Sequence, residues 1–332
     1  MIRDAGDPAA LAEAVTLLQR GELVAFPTET VYGLGADAGR DAAVAGIFTA
    51  KGRPHDHPLI VHIADAAAIA HFAREVPAFA QRLVDAFWPG PLTLILPRRD
   101  GVASAAAAGQ SSIGLRCPAH PAAQALLRAC AAAEPPVMGV AGPSANKFGR
   151  VSPTTAAHVK AEFGPSLLVL DGGPCQVGIE STIVDCTRGR PVLLRPGMLE
   201  VQALEAACGQ PLLRAEDLPQ ETPRASGTLE AHYAPHARVR LMDAKGLQTA
   251  LDLLGADAKN IAVWSRALLA TRAPGVHRRR MPDDAGEVAR QLFAVLREFD
   301  AQGVQLIWIE SPPPDAAWDG VRDRLQRASA AG

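Results

Sequence analysis

Residues 23–63 constrain the fold most, because their hydrophobic pattern switches from strand to helix and back to strand. The apolar run 23–26 is typical of a short strand that ends before a proline. Apolar residues then recur at helical spacing from Asp41 to Gly52, where the helix is expected to stop. Residues 59–63 alternate as a second strand, so that neighbouring side chains lie on opposite faces. This stretch therefore predicts strand, polar turn, helix, basic turn and strand in succession.

Five polar side chains lie at the ends of these elements: Thr28, Thr30, Lys51, Arg53 and His62. Each has an ordinary structural explanation on its own. A lysine at a helix C-terminus interacts favourably with the helix dipole, and a threonine near a strand end often bonds local backbone groups. Together they place two cations and several hydroxyls at element termini, where anion sites tend to form. The combination favours a phosphate-binding site.

The composition of the whole chain indicates a globular protein of about two domains. Its 332 residues are 48% hydrophobic and 20% charged, and the net charge is -2. That charge gives no overall attraction to nucleic acid or to an anionic membrane. Neither a bilayer-spanning apolar run nor an N-terminal signal peptide is recognisable. The five cysteines form no CxxC pair, and their odd number argues against a disulfide framework. A reducing, cytoplasmic location is expected.

Along the chain, apolar strands repeatedly end in clusters of Pro, Gly, Ser or Arg. This pattern is typical of an α/β sheet with a ligand crevice along one edge. The glycine-containing passage 33–35 is predicted to be a turn. Further helices are predicted at 8–20, 121–133 and 154–163, and further strands at 92–96, 111–116 and 167–170.

The C-terminal third is predicted to be a separate unit. Periodicity disappears between residues 211 and 236, where prolines and a glycine punctuate the chain, so this segment is a linker or a functional lid. Smaller α/β patterning follows, with strands at 239–242, 261–264 and 304–309. The predicted domains are therefore 1–210, a linker or lid at 211–236, and 237–332.

Several familiar signatures are missing from the sequence. There is no GxxxxGK[ST] P-loop and no GxSxG nucleophile elbow. The passage His55-Asp56-His57 lacks further ligands at metal-site spacing, so a solvated loop is the better interpretation. The remaining hydroxyls and cations suit a reaction driven by positioning and charge stabilisation, as nucleotidyl transfer usually is.

The motifs PTETVYGLG, AKGRP, HPLIVHI, WPGPLTLIL, PSAN, GIESTIVD and LLRPG occur in this order between residues 27 and 197. Together they resemble the threonylcarbamoyl-AMP synthase family, which is built on the YrdC-like domain. The resemblance resumes at His232-Tyr233-Ala234-Pro235, which indicates the long, two-domain form. It implies a twisted, open, mixed sheet of the YrdC-like type, followed by a smaller Rossmann-like α/β domain.

The resemblance also implies a reaction in which L-threonine, bicarbonate or CO2, and ATP give threonylcarbamoyl-AMP and pyrophosphate. Mg²⁺ is the expected companion of ATP. Partner proteins would use the product to modify tRNA. The carbamate intermediate is labile in water, so closure of the site during turnover is expected.

Carried over position by position, the resemblance assigns residues to two neighbouring pockets. The L-threonine pocket would contain Thr30, His62, Arg116 and Ser181, with Arg116 as the counter-ion of the carboxylate. The ATP pocket would contain Lys51, Arg53, His57, Ser112, Gly142, Ser144, Arg195 and, as part of a lid, Tyr233. Lys51 and Arg53 would meet the triphosphate as the catalytic cations. Thr28 and Asn146 would support these residues from behind.

Two departures from the family pattern mark positions of interest. Lys147-Phe148-Gly149 follows PSAN where the family commonly has small residues, so Phe148 is expected to reshape the nucleotide end of the site. Residues 226–231 differ from the family pattern before Tyr233. Lys51 and Arg53 are expected at a mobile polar turn, so replacing either should weaken ATP use and spare folding.

A different class of function is an RNA-binding or ribosome-associated module that uses a basic groove. That groove would be formed by Lys51, Arg53, Arg98, Arg99, Lys147 and Arg150. The net charge of -2 and the low aromatic content of 5% argue against a base-stacking platform. Weak RNA binding remains compatible with the sequence.

Overall fold

The computed structural model describes residues 1–214, 218, 223–225, 227 and 231–331. Much of the predicted linker, including most of the divergent segment 226–231, lies outside the described residues. Contacts divide the chain into two compact units, Met1–Phe148 with Ser152–Thr228, and Gly149–Val151 with Leu229–Gly332. The domain boundaries at 210 and 236 stay a prediction.

The first unit contains seven α-helices and eleven strands within the described residues. Its helices are Pro8–Arg20 (α1), Asp41–Lys51 (α2), Ile69–Phe72 (α3), Ala78–Phe87 (α4), Pro121–Ala132 (α5), Ala156–Phe163 (α6) and Val201–Cys208 (α7). Its strands are Ile2–Asp4 (β1), Val24–Phe26 (β2), Gly33–Asp37 (β3), Ile60–His62 (β4), Leu92–Pro97 (β5), Ser112–Arg116 (β6), Val140–Ala141 (β7), Leu168–Asp171 (β8), Thr182–Asp185 (β9), Val192–Arg195 (β10) and Leu213–Arg214 (β11).

These strands form one open mixed sheet in the order β1-β8-β2-β3-β7-β4-β6-β5-β9-β10-β11. Strand β6 runs parallel to β4 and antiparallel to β5, and β5 runs parallel to β9. The central strands β5 and β6 are buried along their whole length. The predicted α/β fold with a mixed sheet is confirmed.

The helix that leads into the basic turn ends as the sequence predicts. Gly52 adopts φ 63°, and its N–H donates to the carbonyl oxygens of Phe48 and Thr49 at the end of α2. A left-handed residue at this position favours glycine, which has no Cβ to clash. The Arg53 N–H also returns to the Phe48 oxygen, at 3.0 Å. The cap therefore fixes the direction in which Lys51 and Arg53 leave the helix.

The prediction of a turn at residues 33–35 is wrong. These residues open β3, which is buried throughout and pairs with β2 and β7. A Cβ on Gly35 would lie 2.8 Å from Val140 Cγ1 and 3.0 Å from Phe26 Cε1. The glycine serves close packing across the sheet, which the local pattern does not reveal.

The second unit is a smaller α/β fold. Strands Arg238–Met242 (β12), Lys259–Ser265 (β13), Gly275–Arg280 (β14) and Leu306–Glu310 (β15) form a parallel sheet in the order β12-β15-β13-β14. Helices Ala244–Leu254 (α8), Ala285–Ala301 (α9) and Asp319–Ala330 (α10) accompany it. The predicted C-terminal α/β unit is confirmed. No helix among the described residues is long and apolar enough to cross a membrane.

Adding one methyl group to two different glycines should change stability in opposite directions. Gly35→Ala should lower the free energy of unfolding by about 1–3 kcal/mol, because the new methyl overlaps Val140 and Phe26. Gly46→Ala should raise the free energy of unfolding by about 0.5–1 kcal/mol. Gly46 lies inside α2, and a Cβ added there would be 3.7 Å from its nearest neighbour, Leu23 Cδ2. Calorimetric unfolding of both variants checks this. Shifts of the same sign would contradict the packing explanation for Gly35.

Candidate active site

Arg116 lies at the centre of the predicted L-threonine pocket. It is the last residue of β6, and its parallel register pairs it with His62 at the end of β4. The Arg116 Nη1 group donates to Thr30 Oγ1 at 2.8 Å, its Nη2 lies 2.8 Å from Glu29 Oε1, and its Nε donates to the Gly90 oxygen at 3.3 Å. Its hydrogen bonds thus use two of its five N–H donors, and Nη2 is ion-paired with Glu29 but has no hydrogen-bond partner among the described residues. The remaining N–H donors on Nη1 and Nη2 suit the two oxygens of a carboxylate.

The polar loop before β3 is shaped by Thr28. Its hydroxyl accepts the N–H groups of Thr30 and Val31, both at 3.2 Å, and lies 2.8 Å from Thr30 Oγ1. It also donates to the Val31 oxygen at 2.7 Å. Thr28 therefore supports Thr30 from behind, which is the role that the resemblance implies.

His62 is a neutral group in this pocket. Burial, together with the nearby positive charge of Arg116, lowers its pKa to about 3. Its ring packs edge-on against Phe26, with centroids 5.5 Å apart, and a Cβ on Gly142 would lie 3.0 Å from His62 Nδ1. Gly142, predicted for the ATP pocket, is therefore also a neighbour of the predicted threonine pocket. His62 Nδ1 is buried without a hydrogen-bond partner in the described part of the chain.

Ser181 and Arg195 join the two predicted pockets. The Arg195 guanidinium donates to the Ser181 carbonyl oxygen through Nε at 3.1 Å and through Nη2 at 2.9 Å. The Ser181 hydroxyl lies 2.8 Å from Thr93 Oγ1 on β5. The next hydroxyl along, that of Thr182, is buried and has no hydrogen-bond partner among the residues described. Buried polar atoms without partners are uncommon in folded proteins and indicate a place for a ligand or water.

Lys51 and Ser144 are brought together, although 93 residues separate them. The Lys51 Nζ donates to the carbonyl oxygens of Ser144, at 2.6 Å, and of Asn146. The ammonium therefore holds the PSAN turn against the end of α2. Burial and the adjacent Arg53 hold the pKa of Lys51 well below its usual range. An incoming phosphate would raise the pKa of Lys51 again, because it supplies negative charge beside the two cations.

Burial argues against the expectation that Lys51 and Arg53, at a mobile polar turn, can be replaced with little effect on folding. Their exposed fractions are only 3% and 6%. Arg53 Nη2 donates to the Pro58 oxygen at 3.1 Å, and its guanidinium carbon lies 5.7 Å from the centre of the Phe148 ring. The cap at Gly52 and the returning PSAN turn bury both side chains, so either substitution also affects packing.

Phe148 lies beside two residues of the predicted ATP pocket. Besides its contact with Arg53, its ring meets that of His57 edge-on, with centroids 5.5 Å apart. Partial burial and the positive charge of Arg53 lower the pKa of His57. The departure from the family pattern after PSAN thus places an aromatic ring where a nucleotide is expected.

Ser112 lies at the opposite end of β6 from Arg116, about 13 Å away at the rise of a strand. It borders a cavity of about 660 Å³ that Arg74, Arg188 and Arg224 also line. Arg224 is ion-paired there with Asp56, which follows His55 in the basic turn. Ser112 is therefore separated from Arg116, and its cavity is lined by the carboxylates of Asp56 and Glu75 as well as by the arginines. The place of Ser112 in the ATP pocket stays a prediction.

Tyr233 lies in the second unit. Its ring is buried, 5.4 Å from the ring of Phe293 on α9 and 5.4 Å from the guanidinium carbon of Arg324 on α10. The contribution of Tyr233 to a lid stays a prediction.

Sequence reasoning missed Glu29 and Thr93. Both contact predicted site residues directly, Glu29 through Arg116 and Thr93 through Ser181. Glu29 lies inside the polar triplet 28–30, and its position between two predicted site residues could have identified it from the sequence. Thr93 interrupts an otherwise apolar strand, and a lone hydroxyl there has many structural explanations.

Comparison with known proteins agrees with the geometry. The family model for Sua5, YciO and YrdC proteins, described as "Telomere recombination", matches residues 16–197. The model described as "Threonylcarbamoyl-AMP synthase, C-terminal domain" matches residues 199–330.

Curated relatives include a threonylcarbamoyl-AMP synthase of Pyrococcus abyssi, 38% identical over 95% of this chain and 93% of the relative. Another, from Bacillus subtilis, is 37% identical over 96% of this chain and 92% of the relative. The crystal structure of P. abyssi Sua5 complexed with L-threonine superimposes with a TM-score of 0.86 at 36% identity, covering 97% of this chain and 94% of that one. On these matches, the chain belongs to the threonylcarbamoyl-AMP synthase family, in its two-domain form.

Proposed function

We propose that this protein is an L-threonylcarbamoyladenylate synthase, a nucleotidyltransferase that uses ATP and L-threonine. The observation that carries the proposal is the buried Arg116 guanidinium, which keeps N–H donors on Nη1 and Nη2 for a carboxylate beside Thr30 and His62. Two strands away from β6, Ser181 immediately precedes β9 and accepts hydrogen bonds from Arg195, a residue assigned to the ATP pocket. The name of the P. abyssi structure, which includes L-threonine, supports the same ligand here.

In the proposed reaction, the threonine amine adds to bicarbonate or CO2 and gives a carbamate, with loss of water from bicarbonate. A carbamate oxygen then attacks the α-phosphorus of ATP. The new P–O bond forms as the bond to pyrophosphate breaks. The residues of this chain bind and orient the reactants and offset the negative charge that develops on the phosphates. No covalent intermediate with the protein is required.

In this proposal Lys51 and Arg53 meet the triphosphate, with His57, Ser112, Gly142, Ser144 and Arg195 around the nucleotide and Tyr233 as part of a lid. Lys51 already donates to two neutral carbonyl oxygens. Phosphate oxygens are stronger, charged acceptors and would compete for the ammonium. Mg²⁺ would arrive with ATP and bind chiefly through its phosphates. Within the described residues, no group of three or more His, Cys, Asp or Glu side chains could hold a metal ion.

The cellular setting is part of the proposal. The adenylate product is reactive, so we infer transfer to partner proteins that modify tRNA in the cytoplasm. The rival RNA-binding groove is disfavoured by side-chain positions. Lys51 and Arg53 are buried, and Arg98 donates into its own loop, to the oxygens of Gln110 and Val102. Three of the six cations of that groove are therefore unavailable to a phosphate backbone, whereas Arg99 and Lys147 are exposed.

Pyrophosphate release from ATP should require threonine and bicarbonate together. A pyrophosphatase-coupled phosphate assay, with each substrate omitted in turn, measures this dependence, and mass spectrometry identifies the adenylate. Release that ignores both substrates would refute the synthase. Tight RNA binding in its place would favour the alternative module.

Arg116→Lys should raise the KM for threonine by about tenfold or more, because lysine cannot hold a carboxylate through two fixed N–H donors. The KM for ATP should stay nearly unchanged. Lysine keeps the charge that balances Glu29, so the variant should fold. The matched control is Arg98→Lys, whose guanidinium bonds its own loop. Equal increases in both KM values would contradict the assignment of Arg116.

Lys51→Met should impair both ATP use and stability. The loss of its two hydrogen bonds should lower the free energy of unfolding by about 1–3 kcal/mol, since the Ser144 and Asn146 oxygens lose their donor. Lys160→Met, at an exposed position of α6, provides the control. Thermal unfolding and ATP titration check the two effects. A variant with wild-type stability would show that Lys51 does not hold the turn.

A further inference from the structure

We propose that Glu29 is a positioning residue of the amino-acid pocket, acting through Arg116; this inference rests on the proposed function. Its carboxylate oxygen Oε1 lies 2.8 Å from Arg116 Nη2, and the two side chains are 7% and 4% exposed. Glu29 makes no hydrogen bond to the pocket residues His62 or Ser181, and within the described residues its ion pair is with Arg116. We therefore infer that its effect on a substrate passes through the guanidinium.

The backbone around Glu29 holds its side chain in place. The Glu29 carbonyl oxygen accepts the N–H of Val177 at 2.7 Å, and the Thr28 hydroxyl caps the two residues that follow. Burial raises the pKa of the Glu29 carboxyl, but the charge and hydrogen bonding of Arg116, with backbone N–H groups of Glu29 and Ala119, lower it further than burial raises it. The net pKa is below the usual value. Glu29 therefore remains an anion at neutral pH.

Stability alone is a weak explanation for this ion pair. Desolvation of two charges usually cancels the attraction between them, so a buried pair is seldom more stable than a packed apolar pair. The pair has a more specific geometric consequence. Thr30 and Gly90 accept hydrogen bonds from Nη1 and Nε, and the Glu29 carboxylate lies 2.8 Å from Nη2 as an ion pair. These three contacts restrain the plane of the guanidinium, so that its remaining N–H donors on Nη1 and Nη2 keep a fixed direction.

Charge balance points to the same conclusion. Without Glu29, the empty pocket would contain an isolated buried cation, which is costly in a medium of low polarity. With Glu29, the pair is neutral, and a zwitterionic amino acid adds no net charge when it binds. The carboxylate of the substrate meets Arg116, and its ammonium is balanced at longer range by Glu29. The site is thus matched to a zwitterion more closely than to a simple carboxylic acid.

The test is Glu29→Gln, which keeps the size of the side chain and removes its charge. The KM for threonine should rise by about tenfold or more. This is the loss of affinity expected when one charge-assisted contact no longer orients the Arg116 guanidinium. The KM for ATP should change by no more than about twofold, because Glu29 acts only through Arg116. Glu29→Asp retains the charge on a shorter side chain, so it should recover part of the threonine affinity.

The matched control is Glu310→Gln in the second unit. Glu310 is also a buried carboxylate paired with an arginine, Arg266, at 2.6 Å, with side-chain exposures of 9% and 22%. This control should leave both KM values unchanged. Equal increases for threonine and ATP in Glu29→Gln, or an unchanged KM for threonine, would overturn the proposal. Such results in an enzyme that still makes threonylcarbamoyl-AMP would leave the proposed function intact.

Discussion

The buried guanidinium of Arg116 is the interaction on which the rest of the site depends. A charge at the end of a central strand is tolerable only if it is balanced, and two separate chain segments supply its partners: Gly90, and the consecutive residues Glu29 and Thr30. The sheet order makes this possible, since β6 lies between β4 and β5. The same order places His62 beside Arg116 and keeps it neutral through burial and repulsion. The electrostatics of the pocket therefore follow from strand order.

The buried cation of Lys51 is stabilised in a different way from that of Arg116. Its partners are neutral carbonyl oxygens of the PSAN turn, whereas Arg116 has a carboxylate. Neutral acceptors compete weakly with a phosphate for an ammonium, and a carboxylate competes strongly. In the proposed function, Lys51 would exchange its partners when the triphosphate enters. Arg116 would keep Glu29 and hold the amino acid with its remaining donors, so the two proposed roles fit this difference in partners.

The sequence predicts elements wherever the signal is local, and it fails where partners are distant. Helix α2 ends as expected because the cap at Gly52 acts within one turn of the chain. Strand β3 was predicted to be a turn, since the glycine pattern is ambiguous until Phe26 and Val140 are packed against it. The burial of Lys51 was missed for the same reason, because its carbonyl partners come from a turn far along the chain.

Glu29 and Glu310 are two buried glutamates whose different roles cannot be told apart from the sequence alone. Glu310 accepts from Ser265 Oγ and from the N–H groups of Arg266 and Ala267, in addition to its ion pair. That carboxylate links the ends of β13 and β15, and its hydrogen bonds have a clear structural role. Glu29 has one side-chain partner, and that partner is a residue with donors to spare. Residue type, burial and charge are nearly equal in the two cases, so the difference lies in the surroundings of the neighbouring arginine: Arg116 is paired with His62 across two strands, whereas Arg266 packs over the ring of Trp318.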